Sequence, residues 1–427
     1  IMNGMVWVVS RYNRNSIAAL TGVLEVHPCL DTLPLYFLKE AQAPARVPEL
    51  ASRLDHLVVA FSFATLSLPR IARLVQQLRQ KSPVNVTFIA GGPHPSGDPE
   101  GTLRLGVDAV VVGEGEMALP ALLERIFAGQ SYADLPGIAT LQDGLLVCNR
   151  RPLLADLNDY PPFGLRHGRV SHIELSRGCP YGCTFCQTPR ILGGRMRHRT
   201  VETVIHWIRE AQKGGYRYAR FVTPNAFAYG SPDGRTLNLE AMERLLFEVN
   251  RLLGREGVYF GSFPSEVRPE NVTAEAVALV KKYAANDNLV FGVQTCSPRM
   301  LRALRRGHTV EDVYRATEIT VRAGLTPILQ FIFGLPGETE EDQQLTFQAI
   351  RELTAMGAII RSNTFMPLPG SPLANAPPGR IDYRTRRFLD ELASRGEQFG
   401  HWRQQEQLAA VVAQAGMRPG AGSVAQA

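Results

Sequence analysis

Three cysteines fall within eight residues of the stretch Ser176-Arg177-Gly178-Cys179-Pro180-Tyr181-Gly182-Cys183-Thr184-Phe185-Cys186. Thiolates at this C-x3-C-x2-C spacing can hold a metal centre. A structural zinc ion closes its shell with four ligands, whereas a 4Fe-4S cluster gripped by three thiolates keeps one iron open to a substrate or cofactor. No fourth Cys or His follows in zinc-like spacing within the loop. Cys179, Cys183 and Cys186 are therefore read as metal ligands, with three structural cysteines, on zinc or on nothing, as the plainer alternative. Gly178 and Gly182 let such a loop wrap closely and turn backbone N–H groups toward cluster sulfurs. Six cysteines in 427 residues are too few for a disulfide scaffold, and Cys29 and Cys148 lie far from any partner motif.

The triplet directly follows a short apolar run, HIELS at 172, that opens a second series of βα units. Further candidate strands are ARFVT (219), VYFGS (258), NLVFG (288), TPILQFI (326) and IIRSNTF (359), separated by amphipathic segments near 200–213, 237–254, 272–284, 310–323 and 339–356. Six such units predict a curved parallel sheet, a partial (β/α)6 barrel over 171–375, with functional residues at the strand C-termini. A charged helical segment near 384–413 and a Gly/Ala/Ser tail make up an extension over 376–427.

Upstream, residues 1–150 read as a doubly wound, Rossmann-like α/β domain. Its candidate strands are MVWVVS (5), LPLYFL (33), HLVVAF (56), NVTFIA (85) and DAVVV (108), with helices over 69–80 and 116–128 and a hairpin turned at Asp143-Gly144. A polar, Pro/Gly-bearing connector falls within 151–170. Ligands of doubly wound sheets bind beyond the strand C-termini, which here carry Ser62-Phe63-Ala64-Thr65, Gly91-Gly92-Pro93-His94 and Gly113-Glu114-Gly115-Glu116.

With 45% hydrophobic and 20% charged residues the chain can bury a core, so wholesale disorder is excluded. No apolar run reaches the ~18 residues of a spanning helix, and the N-terminus lacks a basic start, apolar core and cleavage site; the expectation is a cytoplasmic protein. A net charge of +6 without a basic block asks for no nucleic-acid partner.

The triplet, with an aromatic residue before its third cysteine, resembles the signature of the radical S-adenosylmethionine (SAM) superfamily, over roughly 171–373. The resemblance implies a 4Fe-4S cluster whose open iron chelates SAM, cleavage to a 5′-deoxyadenosyl radical, and a one-electron donor such as flavodoxin or ferredoxin. It implies SAM contacts from Phe185, from Thr223 and Asn225 at the second strand end, from Ser262, Glu266 and Arg268 after the third, and from Gln294 at the fourth. Gly334, Leu335 and Pro336, in a segment resembling the adenine-packing strand, complete the set. Thr223-Pro224-Asn225 departs from the Gly-Gly-Glu by which many relatives grip the methionine amino group. Cys296 is either a buried inert thiol, as free cysteine often is, or a cavity-facing catalytic thiol able to donate a hydrogen atom.

A doubly wound domain ahead of a radical domain resembles the cobalamin-binding class of this superfamily, on VVAFSFATLS (58–67), FIAGGPHPSGDPE (88–100) and DAVVVGEGEMALPALLERI (108–126). The implied cobalamin contacts are Ser62, Phe63, Ala64, Thr65, Gly91, Gly92, His94, Gly113, Glu114, Gly115 and Glu116. Ser10-Arg11-Tyr12-Asn13-Arg14-Asn15 lacks the D-x-H-x-x-G pattern that supplies an axial histidine in cobalamin mutases. The expected activity is C-methylation of an unactivated carbon of a small metabolite held between the domains. Radical cyclisation or rearrangement without methyl transfer, and a first domain that has lost cobalamin, are the alternatives. Methylthiotransferases acting on transfer RNA, with three further N-terminal cysteines and a terminal β-barrel, are expected to resemble the chain poorly.

Overall fold

The computed structural model describes residues 2–149 and 154–414; the Gly/Ala/Ser tail lies outside them. The first sheet runs in the order β2-β1-β3-β4-β5-β6-β7. Its strands are β1 (Asn3–Val9), β2 (Leu35–Lys39), β3 (His56–Ser62), β4 (Val86–Gly91), β5 (Ala109–Val111), β6 (Ile138–Gln142) and β7 (Leu145–Cys148). The first five pair in parallel and the last two form an antiparallel hairpin at the edge. Strands covered on both faces read as continuous apolar runs. One face, with Met5, Trp7, Val58 and Ile89, packs on helices Arg14–Val26 and Gly115–Phe127. The other, with Val6, Val59, Phe61 and Phe88, packs on Ala43–Ala51 and Leu68–Lys81. The order 2-1-3-4-5 reverses between β1 and β3, so a crevice opens at their C-terminal ends.

The described part of the connector is packed rather than loose. Phe163 is fully buried against Ala18 of the first helix, and a side chain at Gly22 would lie 2.6 Å from the Phe163 carbonyl oxygen. Beyond it come β8 (Ile173–Glu174), β9 (Ser176–Arg177), β10 (Arg197–His198), β11 (Ala219–Val222), β12 (Val258–Tyr259), β13 (Asn288–Gln294), β14 (Thr326–Phe333), β15 (Ile359–Thr364) and β16 (Gln398–Phe399). β8, β11 and β12 form one parallel sheet and β13 to β16 another, joined by a parallel bridge between Val267 and Phe291. Together they make the expected curved, partial barrel, its helices sealed on by a core that includes Ile173, Phe221, Phe260, Phe291, Leu329 and Ile360. β9 and β10 pair antiparallel, closing the cysteine loop at its base.

Two expectations need correction. The third barrel strand is only Val258–Tyr259, because Gly261 adopts φ +71° and turns the chain. The C-terminal segment is not one helix. Tyr383–Ser394 ends at Gly396, whose φ of +73° is the left-handed stop that glycine takes readily. The two residues of β16 then join the barrel as a seventh parallel strand before Trp402–Gln414. Among the described residues no helix is long and apolar enough to cross a membrane.

Candidate active site between the two domains

The cysteine loop leaves β9 and returns through β10, so its three thiols stand at the C-terminal mouth of the barrel. They line a cavity of about 300 Å3 together with Tyr181, Phe185, Thr223, Pro224, Glu266, Arg268, Gly292, Gln294 and Arg306. Eight of the residues read from sequence as cluster ligands or SAM contacts therefore meet in one place. Burial pushes the Cys179 and Cys186 thiols above their usual range, a cost that coordination to a cationic centre reverses, since a ligating thiol is deprotonated outright. Cationic groups already face them. Arg306 donates through Nη1 to Cys183 Sγ at 3.4 Å, and its Nε is buried without a partner. Arg268 lies 3.5 Å over the Tyr181 ring and donates to Glu270 at 2.6 Å. Among the described residues no three His, Cys, Asp or Glu side chains converge as for a single metal ion. Three loop thiols and an unsatisfied guanidinium nitrogen at one cavity suit a larger, anionic iron–sulfur group.

The remaining barrel residues are placed differently. Asn225 is buried behind the cavity, donating to Asn271 Oδ1 at 2.6 Å and accepting from the Arg268 N–H at 3.3 Å. Ser262 is buried with no partner for its hydroxyl among the described residues. Leu335 packs with Met300, Leu304 and Phe365, and Gly334 backs onto Gly379 and Arg380. Cys296 is not brought to the cavity. It sits in the barrel core, and burial pushes its thiol up to about 12, which leaves a small apolar filler with no thiolate character. Cys296→Ala is expected to lower stability by about 1 kcal/mol, as for deletion of one small core group, and to leave turnover unchanged. Denaturant midpoints alongside product assays check both.

A second space of about 310 Å3 continues from Phe185, Glu266 and Gln294 to Gln330, Ile332, Asn363, Phe365 and Met366, with Leu66 from the first domain and Gln405 from the last helix. Glu266 accepts from Gln330 Nε2 at 2.6 Å between the two spaces. Gln294 also faces both. It has φ +77° at an irregularity in the β13–β14 register, and a strained non-glycine backbone of this kind persists where its surroundings impose it.

Across the interface, the crevice between β1 and β3 encloses about 370 Å3. Ser62, Gly91, Gly92, Gly113, Glu114, Gly115 and Glu116 line it from the first domain; His172, Glu174, Arg177 and Val222 line it from the barrel. Gly92 has φ +96°, and a Cβ there would lie 3.1 Å from the Phe63 backbone and from Ser62 Oγ. Such a slot admits a flat nucleotide-like tail and is too small for a whole corrin. Phe63, Thr65 and His94 form its footing instead of its wall. The His94 ring stacks on Phe63 at 5.5 Å, its Nδ1 shares a 3.0 Å hydrogen bond with Thr65 Oγ1, and Ala64 is exposed. Burial lowers the His94 pKa to about 4. Between pH 6.5 and 4 the unfolded chain then binds more protons at this site, so stability falls as pH falls, by on the order of 3 kcal/mol across that window. His94→Gln is expected to flatten this part of a pH–denaturation profile.

Sequence reading missed the charges that join the two halves. Arg177 reaches Glu114 at 3.0 Å and Glu116 at 2.6 Å from the first domain and Glu174 at 2.6 Å from β8. Arg197 also pairs with Glu114. Burial opposes the Arg177 charge, yet Glu174 and Glu116 hold its pKa well above the ordinary value. Arg306 stood in view within Arg305-Arg306-Gly307-His308-Thr309, but nothing in that run signals a contact with a cysteine 123 residues upstream.

Residues 173–350 match the radical SAM superfamily model and residues 35–123 match the B12 binding domain. The chain thus carries a B12-binding domain followed by a radical SAM domain. Among particular relatives, an uncharacterized protein of Methanopyrus kandleri is 28% identical over 388 residues, 80% of this chain and 72% of the relative. A tRNA-2-methylthio-N(6)-dimethylallyladenosine synthase of Cereibacter sphaeroides is 28% identical over 327 residues, 73% of this chain and 71% of that one. This corrects the expectation that methylthiotransferases resemble the chain poorly, an expectation that weighed cysteine counts and the C-terminal segment above the shared frame. Of solved structures, the radical SAM methyltransferase TsrM from Kitasatospora setae, with cobalamin and a [4Fe-4S] cluster bound, superposes with a TM-score of 0.66 at 16% identity, covering 87% of this chain and 77% of that one. The cobalamin-dependent SAM radical enzyme OxsB, with aqua-cobalamin bound, gives 0.62 at 16%, covering 82% of this chain and 52% of that one.

Proposed function

We propose that the protein is a cobalamin-dependent radical SAM methyltransferase that methylates an unactivated carbon of a small metabolite held between its two domains. The observation that supports this most is that the thiol-lined cavity and the amide- and aromatic-lined space share Phe185, Glu266 and Gln294, while Val222 and Thr223, consecutive in the chain, line the crevice at the β1/β3 ends and the thiol-lined cavity respectively. Cys179, Cys183 and Cys186 would hold the cluster. Glu266, Arg268, Gln294, Thr223 and Phe185 would orient SAM, and Ser62, Gly91, Gly92 and Gly113 would admit the cobalamin tail. When bound, these groups supply an electron, a carbon-centred radical and a transferable methyl group. The chain would position the reactants and keep Arg306 and Arg268 beside the thiolates. Gln294 and Glu266, facing both the cavity and the neighbouring space, would set where the substrate carbon lies. Division into a cobalamin domain over 1–150, a barrel over 171–375 and an extension beyond belongs to the same reading, as does a flavodoxin- or ferredoxin-like donor.

The test is anaerobic reconstitution with iron and sulfide, addition of hydroxocobalamin, SAM and a low-potential reductant, and assay for 5′-deoxyadenosine. SAM-dependent 5′-deoxyadenosine together with stoichiometric cobalamin is the expected result. Absence of 5′-deoxyadenosine overturns the radical reading. Its formation with a substrate product that carries no label from methyl-labelled SAM replaces methyl transfer by rearrangement or cyclisation.

A further inference from the structure

The eleven residues from Arg177 to Gln187 carry all three cluster cysteines, and the first domain holds them at both ends. At the front, the Arg177 guanidinium bridges Glu114 and Glu116, which follow β5. At the back, Gln187, the residue after Cys186, donates through Nε2 to the Pro93 carbonyl at 3.0 Å, after β4, and to the Pro369 carbonyl of the barrel at 2.7 Å. Pro93, Glu114, Glu116 and Arg177 also line the crevice between β1 and β3. One set of groups therefore forms the wall of one site and the anchor of the other.

Between the anchors the loop has little slack. Gly178 adopts φ +85° against the Arg195 carbonyl, and Cys179 donates its N–H to the Gly193 carbonyl at 3.1 Å. Arg177 and both of its first-domain partners are buried. A crevice loop that moved away would strand a buried guanidinium and carboxylate, the costliest way to break such a contact. Glu114 cannot shift alone, because Arg197 and the Ala155 N–H share its carboxylate.

We infer that Arg177 and Gln187 are positioning residues that couple the crevice to the cluster loop, so that a cobalamin whose nucleotide tail enters the crevice and the iron–sulfur cluster each strengthen binding of the other. This rests on the crevice being a cobalamin site. Both ligands favour the same arrangement of Glu114, Glu116, Pro93, Arg177 and Gln187, and coupling between two binding sites is reciprocal.

The experiment compares hydroxocobalamin affinity, by anaerobic equilibrium dialysis, in the full-length protein with its cluster reconstituted and after iron removal by a chelator. Wild type is expected to bind at least about fivefold more tightly with the cluster present, the lower end of usual coupling. Arg177→Gln and Gln187→Ala should each bring that ratio toward one, with Arg177→Lys restoring part of it. Glu116→Gln, outside the cysteine loop, should do the same and serves if Arg177→Gln cannot hold a cluster. The electron paramagnetic resonance signal of the reduced cluster should shift on cobalamin addition in wild type and stay fixed in Glu116→Gln, a change that simple stapling of two domains does not produce. A ratio of one in wild type with both groups bound overturns the coupling, as does an undiminished ratio in all three disrupting variants. A wild type that binds no cobalamin in either state removes the cobalamin reading itself and the coupling with it.

Discussion

Alanine at any one of Cys179, Cys183 or Cys186 is expected to reduce bound iron and sulfide, the brown visible absorbance and SAM-dependent 5′-deoxyadenosine to background. The effect is all or none because Fe–S clusters of this kind are held by Cys thiolates and the cavity offers no fourth thiol among the described residues; its other side chains include Tyr181, Phe185, Glu266, Arg268 and Arg306. The fold should survive. The thiols lie in a loop outside the hydrophobic cores, apart from Cys183's partial packing, so far-UV circular dichroism and the unfolding midpoint of the cluster-free variants should match those of cluster-free wild type. Full iron content in any single variant would place the metal elsewhere. The same replacement at Cys296 leaves iron unchanged, which separates the four thiols of the barrel by experiment.

The parts of this architecture that were legible in sequence are those written locally. Parallel strands buried on both faces appear as unbroken apolar runs, and β1, β3 and β4 were visible for that reason. Thr339 and Asp342 form a reciprocal helix-capping pair, a start signal contained in four residues. The cysteine loop is local as well. What could not be read is what arises between distant segments. Glu114 and Glu116 were visible as crevice residues, but their partner Arg177 lies 63 and 61 positions away, and no pattern in either segment announces the pairing. β16 is two residues long, too short for a periodicity. Gly334 and Leu335 were assigned by resemblance; the packing of Leu335 with Phe365 and of Gly334 against Gly379 and Arg380 depends on where the chain returns after the last long barrel strand.

Gly178→Ala is expected to be nearly as damaging to the cluster as loss of a cysteine, although it removes no ligand. The residue has φ +85°, a conformation that costs an L-residue roughly 1–2 kcal/mol. Its added Cβ would also stand 2.2 Å from the Arg195 carbonyl oxygen and 3.2 Å from that of Gly193. Both obstacles are backbone, so neither can swing aside. Relief requires moving the 193–195 segment, yet the Gly193 carbonyl accepts the Cys179 N–H at 3.1 Å and the chain two residues on is β10, which closes the loop by pairing with β9. The strain is thus passed to the first cluster ligand. Cluster affinity should fall by at least about 10–100-fold, the usual scale for disturbing the groups that orient a metal ligand, read as iron retained after titration with a chelator. Gly182→Ala is the control, because a Cβ there meets nothing within 4 Å. Equal loss at both glycines would show that the loop needs flexibility throughout; loss at Gly178 alone would show that it needs one left-handed residue beneath Cys179.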